Sequence, residues 1–377
     1  MKQILLFTLL SISLAHAGPK NRAWKLHNRI AGVPPESSVQ IQMQNLIAAG
    51  KTEEAAAIAT KNPYFYNLVL KNWVKPWSNR DNTSRVPLND YVTTVLGIIR
   101  DEAPFREVLY GDVVYTLKDM NAPNYSVDDN KHYDEAEQNF VDVARVMVKQ
   151  RQSQISEMAA PAGVITSRAA GEEFYSAGTN RRVNRFTFVN YLCRDYEELH
   201  DTTLPDFRVR RDVERDPGGD SRQYLNNCVG CHAGQDALAG AFAHYDFVSN
   251  GDVNRLVYDP SKVAPKMNQN VYFKDGFITK TDEWINLWAL GRNANLGWRG
   301  AQEGRGVASL GRMLSQSEAF SRCMASKVFK LVCLKDASNP IEKEYVAEAA
   351  ADFELQNYNL KKMIVKTSAW CVDHEAE

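Results

Sequence analysis

The sequence predicts a mainly α fold, a multi-helical body with few short strands, and three observations carry that prediction. Apolar residues recur at helical spacing in several segments. Near the C-terminus, Leu360, Met363, Ile364, Thr367 and Cys371 line one face of a helix that packs inward. Alternating strand-like runs are scarce and short, Val271-Tyr272-Phe273 being one.

Taken in order, Ser38 to Ala49 and Glu53 to Thr60 read as a short helical pair, with Gly50-Lys51-Thr52 stopping the first helix and starting the second. Asn62-Pro63 breaks the pattern before an aromatic stretch from Tyr64 to Trp77. Asn89 is placed to cap a helix running to Arg100, since its side chain can accept from an N–H of the first turn. Tyr133 to Gln150 reads as one helix with Ala136, Phe140, Val143, Ala144 and Met147 on one face. Asp206 to Arg222, with Pro217-Gly218-Gly219, and Asn250 to Asn270, with Asp259-Pro260 and Pro265, read as loops.

The N-terminus has its own pattern. Met1-Lys2 is basic, Ile4 to Leu14 is apolar, and Ala15-His16-Ala17 ends the run with small residues, the arrangement of a secretory signal peptide cleaved after Ala17. About 11 apolar residues fall well short of the roughly 20 that span a bilayer, so no membrane span is expected. Without residues 1–17 the chain carries 44 basic and 46 acidic side chains, which favours neither nucleic acid nor an anionic membrane as partner. The expected location is periplasmic or secreted. Some 360 residues at 44% hydrophobic can form two or three domains.

Six cysteines fall into two groups. Cys228-Val229-Gly230-Cys231-His232 is the attachment pattern of one covalent haem c: two thiols add across the porphyrin vinyl groups, and the following imidazole ligates iron. A Cys-x-x-Cys redox pair and half of a zinc site are the alternatives, but no second Cys-x-x-Cys and no His-x3-His supplies further zinc ligands. Cys193, Cys323, Cys333 and Cys371 remain. In an oxidising compartment they suggest two disulfides, with Cys333–Cys371 and Cys193–Cys323 preferred among three connectivities, or buried reduced thiols.

Several segments resemble a large, poorly characterised cytochrome c family found in planctomycetes and related bacteria. Asp101-Glu102-Ala103-Pro104-Phe105-Arg106-Glu107-Val108-Leu109 is similar to its D-x-P-F-x-E-L-L motif, and Gly163-Val164-Ile165-Thr166 with Gly178-Thr179-Asn180-Arg181-Arg182 to a later pair of motifs. After the haem motif, Asp236-Ala237-Leu238-Ala239-Gly240 and Tyr245-Asp246 are similar to the family's I-D-P-L-G and F-D segments. They depart at Ala237, where proline is expected. Phe320-Ser321-Arg322-Cys323 and Tyr358 to Val365 resemble its C-terminal helical region. The resemblance implies a mostly helical monohaem protein.

The iron's sixth ligand decides the chemistry. Met267, in the polar loop Pro265-Lys266-Met267-Asn268, is the favoured closing ligand, with an ordinary packing role as its alternative. Met313 sits on an apolar face with Val307, Leu310 and Leu314 and reads as core. His244 reads as a ligand or as a packed, hydrogen-bonded residue, and His27, His132 and His200 as surface residues. Arg222, Trp298 and Arg299 are candidate donors to the propionates.

The expected organisation is a signal peptide (1–17), an N-terminal helical domain (18–160), a haem-binding cytochrome c segment (161–270) and a C-terminal helical domain (271–377). The expected function is that of an exported monohaem cytochrome passing single electrons to an unidentified redox partner protein. A haem enzyme with an open sixth position, peroxidase-like, and a binding or assembly protein with a structural haem are the other readings. The first needs no catalytic residue.

Overall fold

The computed structural model describes residues 18–176, 178–206, 214–268 and 277–374. It is mainly α, with three two-stranded antiparallel ribbons among the described residues. The signal-peptide reading and the strand proposed at Val271-Tyr272-Phe273 lie outside them.

Three helices open the described chain: α1 (Pro19–Ala31), α2 (Ser37–Ala48) and α3 (Thr52–Ala59). The pair predicted around Gly50 is α2 and α3. A buried helix, α4 (Asp90–Arg100), is capped by the Asn89 side chain, which accepts from Val92 N–H at 3.0 Å as expected. It packs on the ribbon of β1 (Val114–Leu117) and β2 (Met147–Gln150).

That ribbon overturns the long helix predicted over Tyr133 to Gln150. Helix α5 (Lys131–Gln138) stops early; Phe140 takes φ +51° and is 94% exposed rather than lying on a core face. The physical reason lies beyond local periodicity: Met147 to Gln150 pair with β1, and the Arg100 guanidinium donates to the carbonyls of Ala144 and Met147 at 2.9 and 2.7 Å.

Helix α6 (Arg181–Tyr191) packs on α8 (Val229–Ala239), which follows the short α7 (Ser221–Asn227). The predicted loop over Asn250 to Asn270 is in part a hairpin: β3 (Tyr245–Asn250) pairs with β4 (Val253–Tyr258) across Gly251-Asp252, and Gly251 supplies the positive φ of +58° that such a tight turn needs. The loop predicted from Asp206 likewise ends early, because Ser221 and Arg222 already belong to α7, capped by Asp220.

The third ribbon joins β5 (Glu283–Ile285) to β6 (Glu303–Arg305). Four helices complete the chain: α9 (Gly306–Gln316), α10 (Glu318–Cys333), α11 (Pro340–Leu355) and α12 (Leu360–Asp373). Asn339 and Glu342 form a capping box at the start of α11. On α12 the predicted face of Leu360, Met363, Ile364, Thr367 and Cys371 is buried.

Helices α1 and α3 pack against α12, so the two ends of the described chain meet. One contiguous apolar core runs from Ala23 to Val372 and draws on all three predicted segments. Both preferred disulfides are formed: Cys333–Cys371 ties α10 to α12, and Cys193–Cys323 ties the end of α6 to α10. Among the described residues no helix is long and apolar enough to cross a membrane.

Two predicted surface histidines are instead buried. His132 Nε2 accepts from Leu117 N–H at 3.0 Å and its Nδ1 lies 2.7 Å from the Pro123 carbonyl, so the imidazole satisfies backbone groups beside β1. His27 Nδ1 lies 2.8 Å from the Val33 carbonyl. Both rings are inside because each completes a backbone hydrogen bond that burial would otherwise leave open.

Candidate functional site

The Cys228 to His232 turn begins α8. Cys228 N–H donates to Tyr224 O at 2.9 Å, and His232 N–H donates to Cys228 O at 3.1 Å, so the backbone is helical through the motif. On a helix, residues three and four apart share a face, which puts Cys228, Cys231 and His232 on one side. Both thiols are half-buried and unpaired in disulfides, unlike the other four cysteines. Burial, aided by the charges of Glu197 and Asp195, pushes the Cys231 thiol up from its ordinary value.

His232 is held from one side. Its Nδ1 lies 3.1 Å from Oδ2 of Asp236, one turn later, and its Nε2 makes no hydrogen bond among the described residues. With Asp236 ionised, Nδ1 carries the proton and donates it, leaving Nε2 with its lone pair. The Asp236 side chain is 1% exposed, and Arg181 from α6 grips both its oxygens, Nη2 to Oδ2 at 2.6 Å and Nε to Oδ1. Burial opposes ionisation of Asp236 most strongly, yet the charge of Arg181 and the hydrogen bonds from His232 and Arg181 hold its carboxyl below the usual range.

The helix sits against an aromatic wall. A Cβ on Gly234 would fall 2.1 Å from Cε2 of Trp288, whose ring packs 5.2 Å from those of Phe188 and Tyr196. The segment from Tyr196 to Asp201 frames the motif. The Tyr196 carbonyl lies 3.4 Å from Cys231 Sγ, and Asp201 N–H donates to Gly230 O at 2.9 Å. The His200 ring stands where a Cβ on Gly230 would be, so His200, read from the sequence as a surface residue and half-buried here, is also a neighbour of the motif. Tyr224, one turn before Cys228, and Tyr196 both bury hydroxyls that have no hydrogen-bond partner among the described residues.

Met267 is 2% exposed in a short helical turn, packed with Ala243 and Ala264 in a small satellite cluster. It lines a cavity of about 320 Å³ that Asp236 and Arg181 also line, and that Cys228, Cys231 and His232 do not. Other candidates are engaged elsewhere. His244 Nδ1 lies 2.8 Å from the Lys262 carbonyl, and Met313 is buried in α9. Of the candidate propionate donors, Arg222 pairs with Asp220, Arg299 with Glu354 and Glu318, and Trp298 Nε1 donates to the carbonyls of Trp288 and Asn293.

Residues that the sequence reading gave no role here are Asp236, Arg181, His200 and Trp288. The four-residue spacing of His232 and Asp236 was a usable signal; the contacts of Arg181, His200 and Trp288 come from distant elements. No family model, curated protein or solved structure matches the chain.

Proposed function

We propose that the chain binds one haem c covalently through Cys228 and Cys231, with His232 Nε2 as proximal iron ligand, and carries single electrons to and from a redox partner protein outside the cytoplasm. One observation carries the reading. Four of six cysteines are paired, and the two left reduced are those of the motif, next to an imidazole whose Nδ1 is anchored and whose Nε2 is free among the described residues. Two reduced thiols beside one imidazole with its Nε2 free among the described residues are the groups that would hold a haem through two thioether bonds and one iron ligand.

When bound, haem supplies a reversible one-electron couple. The chain's own residues do the rest. Cys228 and Cys231 tether, Asp236 fixes the tautomer and ring orientation of His232, and Arg181 keeps Asp236 ionised. The unpartnered hydroxyls of Tyr224 and Tyr196 are donors near the tether. Met267 stays the proposed closing ligand on its sequence position alone, since the cavity it lines with Asp236 and Arg181 is not shared by His232. The two disulfides support export. Kinship with the planctomycete-type cytochromes belongs to the same proposal.

A second reading, a haem enzyme with an open sixth position, is favoured by Asp236. A carboxylate acceptor strengthens the imidazole as a donor, which suits iron that binds peroxide or oxygen. Ferric and ferrous absorption spectra with and without carbon monoxide separate the two. A carrier closed by Met267 shows the weak sulfur-to-iron band at the red end and ignores carbon monoxide until Met267→Ala opens it. Rapid binding by the wild type selects the enzyme.

A further inference from the structure

We propose that the Cys193–Cys323 disulfide is the reactive floor of a binding site for small anionic thiols, those carrying a carboxylate or sulfonate. Both cysteines line a cavity of about 520 Å³, and the side chains of Arg194, Arg292 and Arg322 line it with them. Glu198 is the one acidic residue in that lining. Arg194 is spread between the Cys193 carbonyl at 3.2 Å and Glu198 at 3.3 Å, Arg322 pairs at 2.7 Å with Glu318 outside the lining, and Arg292 donates to the backbone carbonyl of Glu198 at 3.5 Å and lies in the field of Asp201. Glu198 offsets Arg194 and Glu318 offsets Arg322, so the positive charge of the cavity comes from Arg292, whose guanidinium bonds no carboxylate among the described residues, and that charge draws anions in.

The disulfide inside it is open to attack. Cys193 is half-buried, and as a residue with a Cβ at φ +52° it holds a backbone conformation that favours glycine. Cys323 is itself 3% exposed, so Cys193 is the half of this disulfide within reach of solvent, whereas in the second disulfide both Cys333 and Cys371 are buried, 5% and 2% exposed. An incoming thiol gives its proton to solvent, and its thiolate attacks Cys193 Sγ, forming a mixed disulfide. The bond to Cys323 breaks, and its electron pair leaves as the Cys323 thiolate in the arginine field. A second thiolate then attacks the mixed disulfide, leaving Cys193 as thiolate and the small thiol as its own disulfide.

The test uses the full-length protein under native conditions and two probes, 2-mercaptoethanesulfonate and cysteamine, at equal thiolate concentration. Alkylation and mass spectrometry follow each cysteine pair. The sulfonate thiol should open Cys193–Cys323 at least about tenfold faster than cysteamine, the scale of electrostatic funnelling. Cys333–Cys371 should stay closed or show no such preference. Replacing Arg194, Arg292 and Arg322 by Gln should bring the two thiols within about twofold. The Arg194 and Arg322 side chains are 48% and 60% exposed, so Arg194→Gln/Arg322→Gln alone should halve the preference or more without unfolding. Equal rates for the two thiols, a preference that survives the arginine variants, or sulfonate binding without opening would each overturn the proposal.

Discussion

Asp236 lies 3.1 Å from Nδ1 of His232 and is itself gripped by Arg181, so a buried carboxylate stands behind the one imidazole of the Cys228 to His232 turn. The proton between them belongs on Nδ1, which makes Nε2 a strong donor. On the proposed haem reading, Asp236→Asn should therefore raise the midpoint potential of the haem-loaded protein, because a neutral amide would no longer strengthen the imidazole proposed to ligate the iron. Redox titration checks this, and an unchanged or lowered potential counts against the role given to Asp236.

The same residue makes a pH prediction. Its carboxyl titrates below the usual value of 3.8 in the folded protein, so the stability it contributes is fully present above about pH 4. That contribution disappears as pH falls through the folded value. Asp236→Asn should cost about 3 kcal/mol at pH 7 by removing the buried carboxylate that binds both Arg181 and His232, and the variant should lose less of its stability between pH 4 and pH 2 than the wild type. Urea midpoints at a series of pH values measure both effects.

Gly234 should be intolerant of a methyl group. Alanine is the better helix former, but the Cβ would meet the buried Trp288 ring at 2.1 Å, so Gly234→Ala should destabilise by about 1–3 kcal/mol rather than stabilise. Thermal unfolding decides the sign.

The two disulfides should differ in worth. They close segments separated by 130 and 38 residues, which on the chain-entropy account gives about 5 and about 4 kcal/mol. Cys193→Ser/Cys323→Ser should be the more damaging double variant in denaturant titration. It also frees the segment whose far end bonds Gly230, so it should raise hydrogen exchange at Asp201 N–H.

Lys327 gives a prediction at neutral to alkaline pH. Its Nζ lies 4.3 Å from the Trp77 ring centroid with no carboxylate partner among the described residues, and burial pushes its ammonium down to about 7. The unfolded chain binds the proton more tightly, so wild-type stability should rise between about pH 7 and pH 10.5. Lys327→Met should abolish that rise and gain about 1–2 kcal/mol at pH 7, after allowance for solvent screening and for the lost ring contact. Stability curves for the two proteins across that range are the check.

Much of the fold was legible because it is local. Asn89, Gly50 and the spacing from Leu360 to Cys371 each set an element without help from afar. The failure over Tyr133 to Gln150 has the opposite cause, since Met147 to Gln150 have helical periodicity but find a strand partner in β1 and a cation in Arg100. The β3–β4 hairpin carried a readable signal in Asn250-Gly251-Asp252, which the nearby prolines outweighed. Of the candidate site, the two thiols and His232 could be read directly, and Asp236 could have been read from its spacing. Arg181, His200 and Trp288 could not, because their places depend on how α6, the Tyr196 to Asp201 segment and the turn before β6 pack on α8.

The most direct measurement is the intact mass of the chain purified from a host that makes c-type cytochromes, with peptide mapping of Cys228 and Cys231. The account predicts a gain of one haem, both cysteines as thioethers, and a pigment that acidified organic solvent does not extract. A chain with free Cys228 and Cys231 thiols, or with pigment that is fully extracted, would contradict it.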